Sequence, residues 1–130
     1  IPCATQNELD VADAAHLLTN GVSYYVEAAN MPAAPGAMRL LRSAPKLRMA
    51  GAWASGSGGV VLSALEMAQN SIRYSWSQKE VEERLKDVMA KIYDESAAAA
   101  AEYGLGDDLM AGSCIASFRK IAQAMVAQGC

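Results

Sequence analysis

A short apolar run, Leu47 to Ala50, passes into a stretch of small residues, Gly51 to Gly59, and then at once into a helical pattern. Val60, Ala64, Met67 and Ile72 recur at spacings that share one helix face. The order strand, glycine turn, helix over residues 47–76 constrains the fold more than any other part of the chain. It predicts unpaired backbone N–H groups at a helix N-terminus, where the helix dipole favours a phosphate, a carboxylate or a polarised carbonyl. Gly56-Ser57-Gly58-Gly59 matches only half of a dinucleotide fingerprint, because the full G-x-G-x-x-G is absent and no acidic ribose partner is evident. A close-packed helix start that holds no ligand accounts for the same residues equally well.

The rest of the chain alternates in the same way. Ile1 to Glu8 reads as a strand end and a polar loop. Asp10 is a natural N-cap for a helix over Val11–Thr19, strengthened by Asp13, and Asn20-Gly21 ends it. Residues 22–27, Val-Ser-Tyr-Tyr-Val-Glu, are β-branched and aromatic and read as a short buried strand. A loop over 28–32 follows, with Pro32 disfavouring helix at the residue before it. A helix over about 33–43, started near Pro35, precedes the Leu47 strand. Ser77 with Glu80 forms a capping-box pattern, and Val81, Leu85, Val88 and Ile92 place one long helix on 77–103. A last amphipathic helix is expected from about Ser113 to Gln128, with Ile115, Phe118, Ala122 and Met125 inward and Gly129 as terminator.

Alternating short strands and helices imply a parallel sheet. The expected fold is therefore α/β: a partial doubly wound, Rossmann-like parallel sheet over about 1–60, followed by long C-terminal helices over about 60–130. Two or three parallel strands do not close a stable sheet alone, so further strands are expected from the same polypeptide or a partner.

The 130 residues suit one domain or part of one, and 52% apolar with 19% charged residues suits a globular core. A net charge of −3 with both signs interspersed argues against a nucleic-acid partner. No apolar run approaches the ~20 residues of a membrane span. Ile1-Pro2 reads as neither a secretory nor a transit sequence and there is no initiator Met, so a processed, excised or incompletely represented chain is expected. Cys3, Cys114 and Cys130 are odd in number and far apart, which fits a reducing intracellular compartment and neither a disulfide framework nor a zinc site. His16 is the only histidine and is expected on a helix surface, leaving no metal cluster and no triad. Lys46, Lys79, Lys86, Lys91 and Lys120 read as solvated charges, so no catalytic residue is assigned.

Against this background the chain resembles, over nearly its whole length, the C-terminal part of the hexameric glutamate dehydrogenases, particularly the short bacterial and fungal type that usually prefers NADP. Pro2-Cys-Ala-Thr-Gln-Asn-Glu-Leu9 is similar to that family's P-C-A-T-Q-N-E-L. Asn20-Gly21-Val22, Val26-Glu27 and Ala29-Asn30-Met31-Pro32 follow its N-G-V … V-A-E-G-A-N-M-P. Gly58-Gly59-Val60 and Leu65-Glu-Met-Ala-Gln-Asn70 resemble G-G-V-A-T-S-G-L-E-M-A-Q-N. Ile115-Ala116, Phe118 and Ala124-Met125-Val126-Ala127-Gln128-Gly129 resemble the family's terminal I-A-G-F-x-K-V-A-x-A-M-x-A-Q-G.

The resemblance implies a coenzyme domain of an enzyme that oxidises L-glutamate to 2-oxoglutarate and ammonia, with hydride passing to NADP or, alternatively, NAD. By matched position, Ala4, Thr5 and Gln6 border the coenzyme ribose and Asn30 lies near the nicotinamide. Val60 and Ser63 meet the substrate, with the Ser63 hydroxyl donating to its side-chain carboxylate. Small residues of this kind let a flat ring approach, and short polar groups orient it.

Four departures touch the active-site neighbourhood. Trp53 stands where the family has a lysine and Gly56 where it has an asparagine; Ala28 replaces the glycine of G-A-N and Cys114 the asparagine of G-A-N-I-A. With Leu65 to Asn70 intact, that distribution implies relaxed catalysis on a retained fold. The resemblance also puts the catalytic lysine and aspartate, and the pyrophosphate loop, outside these residues. Three readings follow: part of an oxidoreductase that is inactive alone and is completed by the remainder of its subunit in an oligomer; a degenerate structural subunit of a larger assembly, with no cofactor; and a phosphate-binding module built on Gly56 to Gly59.

Overall fold

The computed structural model describes all of residues Ile1–Cys130. The chain is α/β and mostly helical: α1 Val11–Thr19, β1 Tyr24–Val26, α2 Pro35–Arg42, β2 Arg48–Ala50, α3 Ala52–Ser55, α4 Ser57–Ile72, α5 Gln78–Glu102 and α6 Leu109–Gln128. The two strands pair in parallel, with Tyr25 opposite Met49. The segment before α1 contributes a single parallel bridge, Leu9 to Ala33, in place of the strand end expected over Ile1–Glu8.

Local chemistry sets most boundaries. The Asp10 carboxylate accepts the Asp13 N–H (2.9 Å) while the Asp13 carboxylate accepts the Asp10 N–H (3.0 Å), a reciprocal cap on α1. The bond from the Asp13 N–H holds the Asp10 carboxyl below its ordinary range. Gly21 takes the left-handed conformation (φ +73°) that turns the chain from α1 toward β1. Ser77 and Glu80 cap α5 in the same reciprocal way, and α5 runs 25 residues, about 37 Å at the α-helical rise. Gly129, left-handed at φ 77°, ends α6.

One core forms where α1 and α2 cover the sheet: Ala14, Tyr25, Ala33, Ala37, Leu41 and Met49 are buried together. A second contact joins α5 to α6 through small residues. Ser96, Ala99 and Ala100 on α5 face Gly112 and Ser113 on α6, all buried. Lys120 and Glu95 bridge the same two helices at 2.9 Å, and that bond draws the Glu95 carboxyl below its ordinary range.

Three expectations are corrected. The glycine turn does not form: α3 and α4 follow each other with only Gly56 between them, and Gly56 itself has right-handed helical dihedrals (φ −77°, ψ −9°). The glycines are taken up in the start of α4: a Cβ on Gly58 would meet Leu85 and Met89 of α5 at ordinary contact distance, and one on Gly59 would meet nothing. The face of α4 that packs carries Val61 and Leu65, both half-buried, while Val60, Ala64, Met67 and Ile72 are exposed. Along α6, which starts four residues earlier than expected, Phe118 and Met125 are exposed while Ile115 and Ala122 are half-buried. Periodicity identifies an apolar stripe but not its neighbour, and the exposed residues of these stripes are left uncovered within the 130 residues. On α5 the expected stripe does pack, with Val81, Leu85, Val88 and Ile92 all half-buried.

Candidate functional site

The carboxyl ends of β1 and β2 are where an open parallel sheet presents ligand-binding loops. Beyond β1 the chain continues as Glu27 to Pro32, and beyond β2 as Gly51 into α3. The segment preceding α1 is stitched to the first of these loops. The Pro2 carbonyl accepts the N–H groups of Ala28 (2.9 Å) and Ala29 (3.1 Å), and the Asn7 N–H donates to the Met31 carbonyl (3.0 Å). The segment that carries Ala4, Thr5 and Gln6 thereby runs along the loop that carries Asn30, and all four residues are exposed.

Backbone strain marks the same place. Asn7 (φ 57°) and Met31 (φ 50°) are two of the three non-glycine residues with left-handed dihedrals, and one hydrogen bond joins them. Such strain persists only where the surroundings over-determine it, and it gathers at ligand clamps. Within the first segment, Thr5 donates its hydroxyl to the Gln6 carbonyl (3.1 Å) and the Glu8 carboxylate accepts the Ala4 N–H (3.0 Å).

Val60 and Ser63 lie apart from these residues, exposed on the first turns of α4. The junction between the two groups is built by Glu27, which the sequence reading did not single out as a site residue. Glu27 is only 5% exposed. Its carboxylate accepts the Ala52 N–H at the start of α3 (3.2 Å) and the Tyr25 hydroxyl (3.3 Å). Its own N–H donates to the Ala50 carbonyl (3.0 Å), and its carbonyl accepts the Ser55 hydroxyl. Burial pushes the Tyr25 phenol far above its ordinary value, with the Glu27 charge and the hydrogen bond to it adding in the same direction. The sequence did carry a signal: a carboxylate closing an otherwise apolar strand, Tyr24-Tyr25-Val26-Glu27.

The departures from the family pattern can now be placed. Ala28 is not among the residues with positive φ, so its side chain costs no left-handed strain. Trp53 stands on α3 with 82% of its surface exposed. Cys114 is exposed on α6, and Cys3 and Cys130 are likewise free and exposed. His16 is exposed on α1. No group of His, Cys, Asp or Glu is arranged to hold a metal ion, and no helix is long and apolar enough to cross a membrane. A cleft of about 500 Å³ is lined by Arg42, Lys46, Leu47, Asp107 and Asp108 at the opposite, amino end of β2. It is partly closed by the ion pairs Arg42–Asp108 and Arg48–Asp107.

A parallel sheet under two helices, with exposed small and polar residues in the loops at its carboxyl edge, defines an open-sheet α/β protein. A family model described as Glutamate/Leucine/Phenylalanine/Valine dehydrogenase matches residues 1–129, and the chain belongs to that family. It is 50% identical over 129 residues to the NAD-specific glutamate dehydrogenase of Clostridium symbiosum, covering 99% of this chain and 29% of that protein. It is 44% identical over 133 residues to the NADP-specific glutamate dehydrogenase of Psychrobacter sp., covering 99% of this chain and 30% of that protein. Among solved structures, a glutamate dehydrogenase superposes with a TM-score of 0.95 at 49% identity, over 98% of this chain and 28% of that one. The chain therefore spans less than a third of the length of the curated relatives it matches.

Proposed function

We propose that residues 1–130 are part of the coenzyme-binding domain of a glutamate dehydrogenase, acting on L-glutamate to give 2-oxoglutarate and ammonia. The observation that supports this reading is the backbone pairing of Pro2 and Asn7 with Ala28, Ala29 and Met31, which ties the segment carrying Ala4, Thr5 and Gln6 to the loop carrying Asn30. A nicotinamide dinucleotide fits there on the chemistry present: the four residues are small or neutral-polar and exposed, and the one carboxylate beside them, Glu8, already accepts the Ala4 N–H. When bound, the coenzyme supplies the hydride acceptor. Ala4, Thr5 and Gln6 border its ribose, and the Asn30 amide orients the nicotinamide. Val60 gives the substrate an apolar wall, and the Ser63 hydroxyl donates to its side-chain carboxylate.

NADP is the coenzyme of the type the motifs resemble, whereas the 50% identical relative is NAD-specific, so both are assayed. This chain supplies no catalytic acid, base or nucleophile, and the complete activity requires the remainder of a subunit within an oligomer. The exposed stripes on α4 and α6 are the faces that such partners cover, and three free thiols suit a reducing compartment inside the cell.

The test begins with the intact mass of the native polypeptide and its glutamate-dependent reduction of NAD and NADP. A full-length subunit with activity is expected. In it, Ser63→Ala should raise the KM for glutamate about ten-fold, the loss of one hydrogen bond to a charged group. An unchanged KM removes Ser63 from the site. The second reading, a degenerate structural subunit, is favoured by Trp53, a large apolar side chain held almost fully exposed. It predicts a native mass near 13.7 kDa, no reductase activity and Trp53 buried against another protein.

A further inference from the structure

We propose that Glu27 is a positioning residue that fixes the loop carrying Asn30 against the helix pair α3–α4 carrying Val60 and Ser63; this rests on the glutamate dehydrogenase reading of those residues. Glu27 is the only buried carboxylate of the chain, and none of the six ion pairs reaches it. A buried carboxylate without a cation is costly unless hydrogen bonds satisfy it. An apolar residue would fill this buried position without that cost, so packing alone gives no reason for an acid here.

Two of its bonds give the reason, because they reach from the end of β1 to α3. One carboxylate oxygen holds the Ala52 N–H, the first residue of α3, and the other holds the Tyr25 hydroxyl of β1. The Ser55 hydroxyl, at the end of α3, donates to the Glu27 carbonyl. Both ends of α3 are thus fastened to one residue of the β1 loop, and α4 starts directly beyond at Ser57. Three residues past Glu27 stands Asn30. The clamp therefore sets the relation between the coenzyme side and the substrate side of the crevice. Hydride transfer depends on that relation, since reacting atoms must lie roughly 3–3.5 Å apart and a displacement of about 1 Å can cost on the order of 100-fold.

The experiment uses the native subunit that carries this chain, with Glu27→Ala, Glu27→Gln and Ala52→Pro. Ala52 is the first residue of α3 behind an extended Gly51 (φ −82°, ψ 159°), where proline fits and removes only the N–H. Glu27→Ala and Ala52→Pro should each lower kcat by roughly 10–100-fold. The KM for glutamate, and the Kd of the reduced coenzyme read from its own fluorescence, should stay within about three-fold. Amide exchange in residues 51–56 should quicken in both variants. Glu27→Gln, whose amide oxygen accepts the Ala52 N–H while its NH2 donates to the Tyr25 oxygen, should restore kcat. The double variant Glu27→Ala/Ala52→Pro should be no worse than Glu27→Ala, because both remove the same bond.

The proposal is overturned by a wild-type kcat in Ala52→Pro, by a loss that lies wholly in KM, or by Glu27→Gln behaving like Glu27→Ala. Where Glu27→Ala fails to assemble, Ala52→Pro alone decides, by the same criteria. A wild-type subunit that reduces neither NAD nor NADP with glutamate overturns the functional reading and this proposal with it. Activity that is indifferent to these variants overturns only the positioning role.

Discussion

The crossing of α5 and α6 offers the sharpest test of the packing. Gly112 lies in the first turn of α6 with its Cα directed at the Ser96 backbone of α5. A methyl group there would overlap the Ser96 carbonyl oxygen, 3.0 Å from its carbonyl carbon and 3.1 Å from the Ala100 Cβ. Carbon atoms pack best at about 3.5–4.0 Å, so the helices must part by something near 1 Å in Gly112→Ala. The obstruction is backbone, which does not rotate away. Overpacking of this kind costs about 1–3 kcal/mol, and the better helix propensity of alanine returns about 1 kcal/mol. A net loss of up to about 2 kcal/mol, and a Tm lower by up to about 7 °C, is expected. Gly59→Ala is the matched control: Gly59 is also in a first helical turn, but nothing lies within 4 Å of an added Cβ. That variant should be neutral or stabilised by up to about 1 kcal/mol. Both are compared by thermal melting of the helical circular dichroism signal. Equal melting temperatures for the two variants would refute the close crossing.

Tyr25 gives a pH dependence of known sign. Its phenol ionises in the folded protein above the ordinary value of about 10, so over the alkaline window between the two the unfolded chain sheds a proton that the folded chain keeps. Stability therefore falls as pH rises above about 10, by at most about 1.4 kcal/mol per pH unit. Denaturant midpoints at pH 9 and pH 11 should show the wild type losing stability relative to Tyr25→Phe, and a constant difference would count against the buried hydroxyl. At the other end of the sheet, Asp107→Asn removes only an exposed ion pair with Arg48 and should cost under about 1 kcal/mol, vanishing in high salt. Asp108→Ala should cost about 1 kcal/mol more and keep that part in salt, because Asp108 also accepts the Ala111 N–H that caps α6 (3.0 Å).

What was legible in the sequence was what depends on neighbours a few residues away. The Asp10–Asp13 and Ser77–Glu80 caps, the left-handed Gly21 and Gly129, and Pro35 at the start of α2 are local chemistry, and each falls where the residue types require. The glycine-rich stretch misled because glycine is permissive: Gly56 to Gly59 allow a loop, but nothing in them demands positive φ, and the helix that follows propagates backward through them. The faces of α4 and α6 were legible as apolar and illegible in direction, because direction depends on what lies across from them.

The same distinction explains why the proposed site residues separate into two kinds. Ala4, Thr5, Gln6, Asn30, Val60 and Ser63 emerge from motif resemblance, and each occupies an exposed position. Glu27 shows in the sequence only as an acid closing an apolar strand; its role emerges from coordinates, since Ala52 and Ser55 reach it from α3, more than twenty residues on, while Tyr25 stands two residues before it. An exposed residue can be exchanged with loss only of the contact it makes to a ligand. A buried acid bonded to two elements has no such freedom, because removing it leaves a backbone N–H and a hydroxyl unpaired in the interior. The exposed residues should therefore tolerate the kind of drift seen at Trp53 and Ala28, whereas the clamp beneath them should not.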